Sequence, residues 1–307
     1  MVYENTFGEL LENNRKEKNV SRARLCRGLC SAMALLRYER DERMPEKIMA
    51  DALLERLGIE PYQFEFVLSD DEFHKIMLQK KIENFIWNGD FEEAKAGLGK
   101  YKESIRGCRR LHMQYVLLKE GEIAKEQGDA RLSTEKFQAA MECSGMEKAI
   151  LETKNSVLLS NTEMELLFQQ AESLYLIEET GRSCHLFEIL KRYMEECFWD
   201  NEKRAMYYPH ILYRMAEFTY INKNFELAEK MLEKAREEMV REYQLWDLYE
   251  VLALLKEIRG KLGREFVRED EDFMTALKLV NMIHGGELTE EGILLWEDTA
   301  DKRLCGE

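Results

Sequence analysis

Asn88-Gly89-Asp90-Phe91-Glu92-Glu93-Ala94 reads as the end of one helix, a break, and the start of a second helix that opens on a small residue. The pattern recurs as Gln127-Gly128-Asp129-Ala130-Arg131-Leu132-Ser133 and as Lys223-Asn224-Phe225-Glu226-Leu227-Ala228. A looser copy is Thr180-Gly181-Arg182-Ser183-Cys184-His185-Leu186, and Lys261-Leu262-Gly263-Arg264-Glu265-Phe266 fits as a fifth. Asn-Gly is also a hairpin-turn dipeptide, but the flanks of Asn88-Gly89 have helical spacing, which rules against strands. A unit repeating every 30 to 50 residues is the mark of a solenoid.

The repeated unit resembles the tetratricopeptide repeat. Ala94 and Ala228 occupy the position where the two helices of a hairpin pack closely, with Ser133 and Leu186 as looser versions. Apolar residues follow one turn later and beyond: Leu98 and Tyr101, Phe137 and Ala140, Leu190 and Tyr193, Leu232 and Ala235. Gly121 and Ala216 stand where the first helix must be small. Copies lie about 39, 53 and 42 residues apart, against roughly 34 in the strict repeat. The repeats are therefore degenerate, and the widest interval predicts extra helix around Glu147 to Ser160. The competing reading is a non-repetitive helical bundle. The resemblance implies a right-handed solenoid whose concave face is lined by first helices and binds extended peptides or partner helices. The repeat phase puts Gln79, Glu83, Tyr115, Glu122, Tyr175, His210, Tyr213, Glu217 and Tyr220 near that face. Tyrosines suit a groove because they offer large area with a polar tip.

Composition agrees with an all-α chain. Of 307 residues only Pro45, Pro61 and Pro209 are proline, so few positions interrupt a helix. Glu, Lys, Leu, Met and Ala are strong helix formers. Seven scattered cysteines do not read as a disulfide framework, and reduced thiols in a cytoplasmic protein are the simpler account. The first residues lack the basic and apolar stretches of a signal peptide. No apolar run approaches the roughly 20 residues that span a bilayer. Net charge is −15, but Arg15 to Lys47 holds ten basic and five acidic residues, so the remainder carries −20. Such asymmetry fits a nucleic-acid-binding head on an acidic body.

Residues 7 to 66 read as four or five short helices. Phe7, Leu10 and Leu11 begin the first. Ser21 caps the second and Ser31 the third, each hydroxyl accepting a backbone N–H, with Leu35 and Tyr38 facing inward. Gly28 supplies the turn between them. Pro45 suits the first turn of a fourth helix carrying Ile48, Ala52, Leu53 and Leu57, and Gly58 ends it. Two short helices around a glycine turn describe a helix-turn-helix.

The stretch Ser21-Arg22-Ala23-Arg24-Leu25-Cys26-Arg27-Gly28-Leu29-Cys30-Ser31, with Leu35, Arg37, Glu39 and Pro45, resembles the phage-repressor (XRE) type of helix-turn-helix. It is most similar to the version in Gram-positive peptide-pheromone-sensing regulators of the Rgg/PlcR-like kind. Leu57-Gly58-Ile59 and Tyr62-Gln63-Phe64-Glu65-Phe66 also look like that family. The resemblance implies a homodimeric, DNA-binding transcription regulator of quorum sensing, with residues 1–68 on double-stranded DNA and residues 69–307 as sensor and dimerisation domain. A short peptide or other ligand bound in the concave face would shift the two DNA-binding heads. Arg22, Ser31 and Arg37 are the candidate base readers by resemblance, and Arg15, Lys16, Arg24, Arg40 and Arg43 candidate phosphate contacts. The chain departs from the family at Arg22, where an amide is usual, and at Ala32, Met33, Ala34 and Leu36. Apolar side chains there offer no hydrogen bonds to base edges. The alternative is a helical-repeat protein-binding scaffold whose helix-turn-helix has lost sequence-specific DNA binding.

Nothing points to a cofactor, a metal or a membrane. The five histidines lack metal-ligand spacing, and the turn at Gly28 separates Cys26 from Cys30. Neither a phosphate loop nor a nucleophile elbow occurs, so the expectation is a non-enzyme. The C-terminal stretch Asp272 to Trp296, with Phe273, Leu277, Val280, Ile283, Leu294 and Leu295, would cap the solenoid or support dimerisation.

Overall fold

The computed structural model describes residues 6–61, 68–146, 157–196, 201–243 and 247–283. Among these, every regular element is helical, with fourteen α-helices. The chain divides into two compact units, Met1–Lys203 and Arg204–Glu307.

The first unit opens with α1 (Phe7–Glu17), α2 (Arg22–Leu25), α3 (Ala32–Glu39) and α4 (Lys47–Glu55). Side-chain oxygens of Thr6, Ser21 and Ser31 accept the backbone N–H of Glu9, Arg24 and Ala34. Each cap satisfies an amide that the first turn leaves without a partner. Phe7, Leu11, Val20, Leu25, Leu35, Leu53 and Leu57 form the module core, which Leu111 and Leu158 complete from outside it. Burial of each such side chain contributes roughly 1.5–3 kcal/mol. Leu10 is only partly buried against that core. Pro45 does not enter the fourth helix. Glu46 is its N-cap, in an extended conformation, and a residue before the cap is as compatible with the proline ring as the first turn. Gly28 has φ +74°, and a Cβ there would lie 1.9 Å from the carbonyl oxygen of Ser144. The helix-turn-helix turn therefore admits only glycine, both for its backbone and for its contact. The stretch Tyr62 to Phe66 lies outside the described residues.

Three antiparallel hairpins follow: α5 (Asp70–Trp87) with α6 (Phe91–Ser104), α7 (Arg109–Glu126) with α8 (Ala130–Ser144), and α9 (Asn161–Leu176) with α10 (Thr180–Glu196). Gly89 and Gly128 take left-handed φ of 78° and 82° at the first two turns. Ala94 and Ser133 are fully buried, as their positions require. Gly121 is small for a visible reason: a Cβ there would meet the Phe137 ring at 2.4 Å.

The third copy runs three residues out of the expected phase. Glu178, not Gly181, holds the left-handed position, at φ 64°. Gly181 is already within α10. The small residue is consequently Ser183, fully buried, whose hydroxyl donates to the Ala171 carbonyl at 2.8 Å. Leu186 is only partly buried. Most of the extra helix expected between Glu147 and Ser160 falls outside the described residues, and 157–160 is non-helical.

The second unit holds α11 (Asn201–Ile221) from Arg204 onward, α12 (Phe225–Arg241), α13 (Leu248–Lys261) and α14 (Arg268–Ile283). Lys223 takes the left-handed turn at φ 60°, and Asn224 caps α12 by accepting the Leu227 N–H. Ala216 and Ala228 are fully buried. Arg259 of α13 reaches Glu229 at 3.2 Å and Asp270 at 2.7 Å, tying α12 and α14 to it. The expected fold class stands: an all-α chain with a helix-turn-helix module and degenerate tetratricopeptide-like hairpins.

Candidate functional site

The basic face of the module begins with its helix caps. Ser31 is exposed at the start of α3, and its hydroxyl already accepts the Ala34 N–H. Ala32 and Met33 are exposed beside it, Met33 at 60%. Arg37, Arg40 and Arg43 are exposed farther along, and Arg40 has a loose ion pair with Glu42 at 3.7 Å. Lys16 is exposed on α1 and pairs with Glu12 at 3.1 Å. Arg24 is half-buried.

The other two arginines are engaged within the module. Arg15 is buried, donating to Glu39 at 2.5 Å and to the Val20 carbonyl at 3.0 Å. Arg22 donates from Nε to the same Glu39 at 2.5 Å and to Glu12 at 3.1 Å, with a third of its side chain exposed. One buried carboxylate thus joins α1, α2 and α3. Arg15 has a structural role that its charge alone does not reveal.

A second assembly joins α4 to the hairpins. Arg56, 3% exposed, makes a two-pronged pair with Glu163 at 3.0 and 2.6 Å. Its third nitrogen donates to the carbonyls of Leu25 and Arg27 in the helix-turn-helix turn. Glu163 also closes a capping box with Ser160 at the start of α9. Glu55 accepts the backbone N–H of Asn161 at 3.0 Å.

Above this junction lies a cavity of about 240 Å³ between α4, α5, α7 and the start of α9. Three of the expected groove residues, Gln79, Glu83 and Tyr115, line it. They belong to one hydrogen-bonded chain. Tyr115 donates to the Gln79 carbonyl at 3.3 Å and stands 3.5 Å from Glu83. The Gln79 amide donates to the Tyr101 hydroxyl at 2.9 Å, and that hydroxyl meets His112 Nδ1 at 2.7 Å. Glu122 stands at the edge, accepting from Lys119 at 2.8 Å, while Lys119 reaches Glu165 at 3.5 Å.

Burial shapes the charge of this site. It pushes Glu55 up to about 8 and raises Asp51 and Glu83. Burial likewise pushes Glu122 up to about 8. Desolvation lowers His112 below its ordinary value, so its imidazole is neutral. Lys119 loses solvation too, yet Glu165 and Glu122 hold it above the ordinary lysine range. Buried charge is costly unless paired, and here carboxyls outnumber ammonium groups.

The remaining groove candidates lie elsewhere. Tyr175 is half-buried near the end of α9. In the second unit, His210 Nδ1 meets Asp247 at 2.5 Å and Tyr213 donates to Glu217 at 3.0 Å. Tyr220 bonds to Glu257 and Lys261. The Tyr220 contacts join α11 to α13 and the His210 contact joins α11 to the cap of α13, whereas Tyr213 and Glu217 pair within α11. Nothing at the sequence level singled out Lys119, His112, Glu165, Glu55 or Arg56. Ser160-Asn161-Thr162-Glu163 carries the spacing of a capping box, a helix-start signal that was passed over at the sequence level; no sequence signal marks the bond of Glu163 to Arg56, 107 residues away. Among the described residues no helix is long and apolar enough to cross a membrane.

No family model matches the sequence, and no curated protein matches it. In fold, the chain is similar to PlcR of Bacillus thuringiensis, solved in complex with the peptide PapR7 and DNA. That likeness has a TM-score of 0.51 and 14% identity, covering 94% of this chain and 99% of the other. The likeness is one of fold, and it runs over nearly the whole of both chains.

Proposed function

We propose that the protein is a DNA-binding transcription regulator controlled by a short peptide held by the first helices of its hairpins. The observation that carries this reading is the likeness over nearly the whole of both chains to PlcR, a protein solved in complex with a peptide and DNA. Residues 1–68 form the DNA-binding domain and residues 69–307 the sensor and dimerisation domain. The exposed cations Lys16, Arg37, Arg40 and Arg43 meet phosphates or bases, with Arg24 at their edge. Arg22 keeps part of its surface, whereas Arg15 acts by holding Glu39. The groove residues Gln79, Glu83, Tyr115, Glu122, Tyr175, His210, Tyr213, Glu217 and Tyr220 contact the ligand. The regulator acts in the cytoplasm as a homodimer. Peptide binding alters DNA affinity only if the peptide prefers one arrangement of the dimer.

Gel-shift titration over upstream duplexes tests this. Binding is expected to weaken steeply with salt, because each neutralised phosphate releases counterions. Arg37→Ala weakens it about 5- to 150-fold, corresponding to the 1–3 kcal/mol of a good base contact. A complete absence of shift at low salt, with or without peptide, overturns the reading.

One observation favours a second reading. Met33 and Ala32 expose an apolar surface at the start of α3, which suits docking on a protein partner. In that case mutation of Arg37 leaves partner binding intact and no duplex binds.

A further inference from the structure

The peptide site proposed above has a chemical polarity. Lys119 is ringed by Glu122 at 2.8 Å, Glu165 at 3.5 Å and, through the Tyr115 hydroxyl, Glu83. One ammonium serves three carboxyls. Desolvation raises Glu83 and Glu122 toward their protonated forms, and an ammonium arriving beside them would favour the charged carboxylates again.

A second, independent feature lies on the same wall. His112 is 4% exposed and lines the cavity, yet its Nε2 has no hydrogen-bond partner. The Tyr101 hydroxyl accepts from the Gln79 amide, and among the described residues its own proton has His112 Nδ1 as its acceptor, so the arrangement that satisfies both groups leaves Nδ1 unprotonated. The remaining imidazole proton is then on Nε2, which presents an unused donor to the cavity. A buried donor without an acceptor costs about 1–3 kcal/mol. A carbonyl oxygen satisfies it; an ammonium does not.

His112 and Lys119 are two turns apart on α7, about 10 Å along the helix. A ligand joining the two features therefore carries an ammonium at one end and a neutral carbonyl oxygen about 10 Å along, the reach of roughly three extended residues. That is the amino terminus of a peptide. We propose that this cavity captures the free amino terminus of the regulatory peptide, its ammonium completing the carboxyl cluster around Lys119 and a backbone carbonyl accepting from His112 Nε2. The inference rests on the peptide-regulated reading, and adds which end of the peptide enters and what holds it. It also sets a preference: an N-acylated peptide loses the charge and is rejected.

The test uses full-length protein and trileucinamide, which carries a free α-ammonium and neutral carbonyls spanning about 10 Å. Imidazole resonances are followed by NMR, with His112 assigned from the His112→Asn variant. A saturable shift at His112 is expected with trileucinamide and none with N-acetyl-trileucinamide. Glu83→Gln and Glu165→Gln should each weaken binding at least 10-fold; Glu165 is partly exposed, so the second variant covers any misfolding of the first. n-Butylammonium, which lacks the carbonyl, should bind several-fold more weakly. No saturable shift, equal binding of the N-acetyl compound, or unchanged affinity in the folded Glu→Gln variants overturns the proposal. So does equal binding of n-butylammonium, which would mark a simple amine site. The parent reading fails separately. If an N-acetylated peptide controls DNA binding as well as the free one, the regulator reading stands and this assignment falls. If trileucinamide binds as expected but no peptide alters duplex binding, the ammonium site stands and peptide control falls.

Discussion

At the scale of single residues, the most consequential groups were those whose partners lie far away in sequence. Arg56 is one. Removing one partner of a buried pair strands the other charge, which costs about 3–5 kcal/mol. Arg56→Met is expected to lower stability by that amount in urea unfolding. The double variant Arg56→Met with Glu163→Leu should recover much of the loss, because no charge is then left buried. Equal losses in the single and double variants would contradict a paired role. Glu55 makes a pH prediction. Its carboxyl rises from an ordinary 4.5 to about 8 in the folded protein, so between roughly pH 5 and 8 the folded state holds a proton the unfolded state has lost. Stability contributed by that proton is present below pH 4.5, falls as pH rises through the window, and is gone above it. Glu55→Gln keeps an acceptor for the Asn161 N–H and should flatten this decline. Thermal melts of the two proteins at pH 5 and pH 8 measure it; parallel declines would count against the assignment.

At the scale of helices and hairpins, the sequence was most readable where a turn demanded a special backbone. Gly28, the Ser21 and Ser31 caps, and Ala94 each follow from local rules, and each stands where those rules put it. The third hairpin was misread because Glu178 takes a left-handed conformation that glycine usually marks. Local rules locate glycine, but tertiary packing of Ser183 against α9 chose the turn. Replacing Glu178 with Gly is therefore expected to stabilise the protein by up to about 1 kcal/mol, from relief of the left-handed penalty less the added chain entropy. A loss of more than that by denaturant titration would mean the Glu178 side chain matters more than its backbone. At the second hairpin, Gly121→Ala forces a Cβ into the Phe137 ring and should cost about 1–3 kcal/mol. Phe137→Leu in the same chain should reduce that penalty.

At the scale of the molecule, fold class was legible because helical punctuation repeats and because few prolines interrupt it. The cavity was not legible. Its wall combines α4 of the helix-turn-helix module with α5, α7 and α9 of the hairpins, and such convergence depends on how whole elements pack. Periodicity put Gln79, Glu83 and Tyr115 on corresponding faces of successive first helices, and the three line the cavity together. It could not find His112 or Lys119, which look like ordinary polar residues on an amphipathic helix. The basic head on an acidic body is the sequence feature on which the proposed DNA binding rests.

That link is tested most directly by selection from a random duplex library with the full-length protein, with and without synthetic peptides encoded by short reading frames beside the gene. A homodimeric helix-turn-helix predicts enrichment of a two-fold symmetric site, with half-sites about one helical turn or a multiple of one apart. Affinity for it should fall linearly in log–log salt dependence and weaken on Arg37→Ala. Recovery of no common sequence under either condition, from protein shown to be folded, would contradict the account.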